Sequence, residues 1–217
     1  MGAVFLDLDG TLTDSSVPII GSISQTLLSL DLNVPDEHTL RSCIGPPLLE
    51  TFTRLGAPDP NLALSRYREI YVGATMLNAP VYDGMFDALT LMQSNGYRLY
   101  LMTAKPHVYA RQITAHKGLS RFMIREYGPE LDGTFNDKGA LLARALAETG
   151  ETPERSVMVG DRDNDLRAGR AAGTFVIGAL WGFGEEQEIA GADVLIHQPA
   201  DLPEAVTKVI GKAAHDH

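Results

Sequence analysis

The apolar and polar positions divide the chain into two stretches of different rhythm. From about residue 82 onward, short apolar runs alternate with segments whose apolar residues recur every three or four positions. The runs RLYLMT (98–103), RFMIREY (121–127), SVMVGD (156–161), TFVIGA (174–179) and DVLIH (193–197) predict strands, and AVFL near the start predicts another. Helices are predicted between them. Asp83 is expected to cap one that stops at Gly96, Pro106 to sit in the first turn of one that stops at Gly118, and residues 138–149 place Leu141, Leu142, Ala145 and Leu146 on one face before Gly150. Strand and helix in alternation predict an α/β fold with a parallel sheet covered on both faces. Its central strands should be apolar throughout, as AVFL and VMVG are.

Residues 14–80 show no strand pattern. Ile19, Ile20, Ile23, Leu27, Leu28 and Leu30 fall at helical spacing, and PPLLETFTRLG and LALSRYREIYVGATML continue in the same style. A small all-helical unit inserted after the first strand is expected, leaving residues 1–13 and 81–217 as the α/β core. The length suits one core with such an appendage.

Composition narrows the function classes. With 18 Lys plus Arg against 28 Asp plus Glu, the formal net charge is -10, and no basic stripe interleaved with aromatics tracks a phosphate backbone, so nucleic acid is not an expected partner. The single cysteine, Cys43, rules out an internal disulfide, fits a reducing compartment and reads as a small buried hydrophobe. No apolar run approaches the roughly 18 residues of a membrane span, so a cytoplasmic protein with no membrane partner is expected.

Ligands of open parallel sheets bind beyond the carboxyl ends of the strands. The first strand ends in Asp7, with Asp9 two residues on; the second ends in Thr103; the fourth runs into GDRDND, carrying Asp161 and Asp165; and Lys138 opens the preceding helix. Carboxylates gathered at one edge repel unless a cation is shared, and oxygen ligands without His or Cys suit a hard ion such as Mg²⁺. A calcium loop is a poor alternative. Leu166 stands where the glycine of such a loop belongs and Ala172 where its closing glutamate belongs, while Pro18 breaks the pattern that starts at Asp7. His107, His116 and His197 read as structural or exposed, and Asp163 as a turn or solvent-facing residue.

The motifs DLDGTLTDS, LMTAKP, DKGALL and GDRDNDLRAGRAAG, in that order, resemble the haloacid dehalogenase superfamily, with IGPPL, YDG and ELDGT similar to its phosphoglycolate phosphatase-like branch. The resemblance implies a Rossmann-like core with a mobile helical cap. It also implies Mg²⁺ held by Asp7, Asp161 and the backbone carbonyl of Asp9, and a phosphoryl group bound by Thr103 and Lys138. Asp7 is then the nucleophile that forms an aspartyl-phosphate, and Asp9 the acid and base. Asp165 is expected in support, orienting a metal-bound water, binding the ion or pairing with Lys138.

Within that superfamily, Asp9 argues against dehalogenation, since a halide leaves without a proton. The absence of lysine between residues 14 and 80 argues against Schiff-base chemistry in the cap. A phosphatase of small soluble phosphomonoesters is expected, phosphoglycolate leading by resemblance. Nucleoside monophosphates, sugar phosphates, a β-phosphoglucomutase-like reaction and a binding protein without turnover are the alternatives. Lys105, Arg41 and Arg54 are the cations available to a second anionic group, although surface ion pairs are the expected reading of both arginines. A monomer or weak homodimer is expected.

Overall fold

The computed structural model describes residues 2–213. Strand β1 (Ala3–Leu6) leads into α1 (Ser16–Ser29), α2 (Glu37–Arg41), α3 (Leu48–Arg54) and α4 (Pro60–Ile70). A π-helical turn (Tyr71–Thr75) and a 3-10 turn (Met76–Asn78) follow. Then come α5 (Met85–Ser94), β2 (Arg98–Met102), α6 (His107–His116), β3 (Arg125–Tyr127), α7 (Lys138–Thr149), β4 (Ser156–Gly160), α8 (Asp163–Ala172), β5 (Phe175–Ala179), α9 (Glu186–Ile189), β6 (Val194–Ile196) and α10 (Leu202–Ala213).

The six strands form one parallel sheet in the order β3-β2-β1-β4-β5-β6. Alternate side chains of β1 serve the two faces. Ala3 and Phe5 pack with Leu141, Leu142 and Ala145 of α7 and Ala168 of α8, whereas Val4 and Leu6 join the larger core with α5, α6 and α10. Because both faces are covered, β1 and β4 are buried at every position, which is why their sequences show no alternation.

Three local expectations are corrected. Of residues 121–127 only Arg125–Tyr127 is strand, since this edge element pairs on one side only and Ser120–Phe122 closes a 3-10 turn that sends Phe122 into the core. Helix α5 is preceded by Gly84 at φ +78, not capped by Asp83, because the chain enters through a left-handed turn. Pro106 stands just before α6, where it needs no N–H partner, instead of inside the first turn.

Between residues 14 and 80 every regular element is helical. The two crossings of the chain into and out of this segment are stitched together. Asp14 N–H donates to the Pro80 carbonyl at 2.9 Å, Tyr82 N–H to that of Leu12 at 3.2 Å, and Thr13 bridges Val81. Among the described residues no helix is long and apolar enough to cross a membrane.

At the opposite end of the sheet, Glu151 accepts a bidentate pair of hydrogen bonds from Arg98 and one from the Tyr100 hydroxyl at 2.8 Å. The Arg98 bonds, helped by the tyrosine, hold the Glu151 carboxyl below the usual glutamate range against the opposing effect of its burial. A carboxylate with a depressed folded pKa adds stability above its unfolded pKa and loses it as pH falls through the folded one. Glu151→Gln should therefore cost about 1–2 kcal/mol at pH 7, and chemical denaturation across pH should show the gap to wild type closing below about pH 4.3.

Candidate active site

In the strand order, β1 has β2 on one side and β4 on the other, so the chain winds outward in both directions from this pair and leaves a crevice beyond their carboxyl ends. Leu6 is in register with Val159, and the Asp7 N–H continues the ladder to the Val159 carbonyl at 3.0 Å. Asp161 follows directly after the last residue of β4. Two acids are thereby delivered side by side by backbone pairing. Close approach is secured by glycine: Gly10 sits at φ +83 with its missing Cβ directed 2.3 Å from Asp161 Oδ2, and a Cβ on Gly184 would lie 1.9 Å from the Asp161 carbonyl oxygen.

Asp7, Asp161 and Asp165 are buried and present oxygens that all lie within 4.8 Å of one another. The ammonium of Lys138, the first residue of α7, reaches into the group, 2.9 Å from Asp7 Oδ1 and hydrogen-bonded to Asp165 Oδ1. Burial raises the Asp7 carboxyl to about 7, with Lys138 opposing the shift and the neighbouring Asp165 and Asp9 adding to it. Asp161 is driven well upward, first by burial and then by Asp165 and Asp7, while the Phe183 N–H at 2.7 Å from Oδ2 pulls the other way. Burial alone would lower Lys138, but Asp165 and Asp7 outweigh it and keep the ammonium charged.

A divalent cation fits this donor set. The oxygens are hard, and a single buried lysine is set against three buried acids.

Asp9 turns elsewhere. Its Oδ2 lies 3.0 Å from Lys105 Nζ, and its Oδ1 is buried with no hydrogen-bond partner among the described residues. Thr103, buried at the end of β2, accepts the Lys105 N–H at 3.1 Å through Oγ1. Asp7, Asp9, Thr103 and Lys105 all line a cavity of about 350 Å³, whose further walls come from the helical segment, with Ile44, Leu64 and Tyr71, and from the loop after β3, with Glu130 and Asp132. Asp165 spans between Lys138 and the Arg162 N–H, 3.0 Å from Oδ2.

Arg41 is not among the residues that line the cavity; it lies 4.0 Å from Glu37 and over the Phe183 ring. Arg54 makes no ion pair among the described residues, in contrast to the surface pairing expected of it, because it folds back on Ser42 and the Cys43 sulfur. Asp163 pairs with Arg167 on the surface, and His116 and His197 are exposed.

Several supporting groups were given no role by the sequence, Thr11 and Arg162 although they lie inside the DLDGTLTDS and GDRDND motifs, Tyr71 and the Phe183 amide because they lie outside all of them. Thr11 donates to Asp161 Oδ1 at 3.3 Å, and the Phe183 amide belongs to a loop 22 residues further on. Tyr71, in the π-helical turn, accepts from Lys105 Nζ at 2.8 Å. Arg162 bonds Glu188 at 2.8 Å and donates to the Ile44 carbonyl, packing against Gly45. Gly45, at φ +105, marks the turn that meets it.

Known proteins resemble this chain in sequence and in fold. A 5'-nucleotidase of Pseudomonas aeruginosa is 36% identical over 199 residues, 90% of this chain and 88% of that protein. A phosphoglycolate phosphatase of Caulobacter vibrioides is 29% identical across 93% of this chain and 89% of its own length. The crystal structure of a predicted phosphatase from Clostridium acetobutylicum superposes with a TM-score of 0.90 at 30% identity, covering 95% of this chain and 98% of the other. A family model described as haloacid dehalogenase-like hydrolase matches residues 4–179, and the chain belongs to that family.

Proposed function

We propose that this phosphoric monoester hydrolase is a Mg²⁺-dependent phosphatase of nucleoside monophosphates, working through an aspartyl-phosphate on Asp7. The observation that carries the reading is the buried group of Asp7, Asp161, Asp165 and Lys138 where β1 and β4 part, opening onto the cavity that Asp7 and Asp9 share with the helical segment. Mg²⁺ held by Asp7, Asp161 and the Asp9 carbonyl, with Asp165 beside it, would supply the positive charge that lets a dianionic ester approach these carboxylates.

The chain's own groups divide the remaining work. An Asp7 oxygen forms the new bond to phosphorus as the bond to the leaving alkoxide breaks. Asp9 gives its proton to that alkoxide, then takes one from the water that hydrolyses the acyl phosphate. Thr103 donates its hydroxyl to a phosphoryl oxygen, and Lys138 holds the charge that accumulates during transfer. Residues 14–80 serve as a cap that excludes bulk water from the reacting groups.

The cavity chemistry favours a nucleoside over phosphoglycolate as the leaving group. A second carboxylate needs an unengaged cation, but Lys105 is taken by Asp9 and Tyr71, and Arg68 donates to the Leu131 carbonyl at 3.0 Å. Glu130 and Asp132 on the same wall would repel it. Prolines, leucines and tyrosines suit a flat, weakly charged ring instead. The similarity to a protein named 5'-nucleotidase supports the same class.

Phosphate release should be followed with nucleoside monophosphates, phosphoglycolate, sugar phosphates and glucose 1-phosphate. Nucleoside monophosphates are expected to give the highest kcat/KM, EDTA to silence all of them, and Asp7→Asn to lower turnover at least about a thousandfold. Preference for phosphoglycolate would overturn the substrate class; glucose 6-phosphate formed without phosphate would indicate a mutase.

Gly184→Ala tests the role of the second loop. A methyl directed at the Asp161 carbonyl must displace the loop that holds Asp161, so Mg²⁺-dependent activity should fall by at least about tenfold with a raised Mg²⁺ requirement in a metal titration.

A further inference from the structure

Lys105 is an unusual neighbour for a substrate cavity. Its ammonium is buried, 3.0 Å from Asp9 Oδ2 and 2.8 Å from the Tyr71 hydroxyl, and lies 4.7 Å from the centre of the Tyr71 ring. The partners of that ammonium come from opposite parts of the chain, Asp9 from the end of β1 and Tyr71 from the helical segment. Tyr71 is itself fixed: Tyr67 stacks on it at 5.3 Å and 13°, Tyr109 meets it edge-on at 6.4 Å, and the π-helical turn begins at this residue. A π turn re-aims a side chain that a continuous α-helix would place differently, and such turns recur at functional sites.

We propose that Tyr71 and Lys105 are positioning residues that act through Asp9, holding its Oδ2 so that its Oδ1 faces the leaving group. The contact with Lys105 occupies one carboxylate oxygen and leaves the other buried without a partner among the described residues. Because Tyr71 belongs to the helical segment, docking of that segment completes the support behind Asp9. Lys105 on this reading does not contact substrate.

The proposal rests on Asp9 serving as the acid, so the test separates the two claims. An alkyl phosphate needs a proton on its leaving oxygen, whereas p-nitrophenyl phosphate leaves as a stabilised phenolate; kcat/KM reports steps up to the first irreversible one. Wild type, Asp9→Asn, Tyr71→Phe and Lys105→Met are compared on p-nitrophenyl phosphate and on the better of adenosine 5'-monophosphate and phosphoglycolate, with thermal melting as a check on folding. Tyr71→Phe, which keeps the stacked ring, is expected to lower kcat/KM for the alkyl ester about tenfold and for the aryl ester less than about twofold. Lys105→Met and Asp9→Asn should show the same selectivity more strongly. Selective loss in Asp9→Asn with equal or no losses in the other two would overturn the positioning role, as would a raised KM for both esters in Lys105→Met, the mark of a substrate cation. Equal losses in Asp9→Asn would remove the acid role of Asp9, and this proposal with it.

Discussion

Crowding of like charge where β1 and β4 diverge is the constraint around which the rest of the molecule is arranged. Backbone pairing places Asp7 and Asp161 next to one another whatever their side chains prefer, and α8 adds Asp165 from its first turn. Buried carboxylates at this spacing are driven toward their neutral forms, as the raised Asp7 and Asp161 show. One lysine, Lys138, opposes that tendency from the start of α7, a place where the helix dipole is unfavourable to it. A structural ion pair would avoid that end of a helix, so its placement speaks for a local need for positive charge.

The parallel sheet was legible because its central strands are apolar without alternation, and α7 because Gly150 stops it where expected. The acids could be placed because strand ends are where a doubly wound sheet binds ligands, and that rule needs only strand assignments. Asp9 illustrates the limit. Its position was readable, yet its partner was not, since Lys105 meets it through tertiary packing and is held in turn by Tyr71 from a π turn that has no sequence signal of the kind a proline or a cap provides. Thr11 stood in view within DLDGTLTDS, but its bond to Asp161 is made across the fold, and the Phe183 amide escaped because main-chain donors carry no residue code. A cue was present in LWGFGE, where two glycines close together after a strand announce close approach of backbone.

The helical segment contributes more than enclosure. Its aromatic residues, Tyr67 stacked on Tyr71 with Phe52 edge-on behind them, form a continuous row of rings that reaches from its own interior to the buried ammonium beside Asp9. The stitched crossings at Asp14–Pro80 and Leu12–Tyr82 keep both ends of the segment a few residues from that same aspartate. The element that shapes the cavity and the aspartate paired with Lys105 are therefore mechanically adjacent.

The bond from Arg162 to the Ile44 carbonyl ties the acidic loop to the helical segment. Arg162 lies within the acidic loop itself, between Asp161 and Asp163, and is oriented by Glu188 from α9. The turn at Gly45 is shaped to receive it. The helical segment is thus not an interchangeable module: a graft taken from a relative would have to bring a compatible turn for Arg162 or lose its tie to the loop of acids. In this chain a side-chain change on the cavity wall leaves that tie to a main-chain carbonyl in place, whereas exchange of the whole segment puts it at stake.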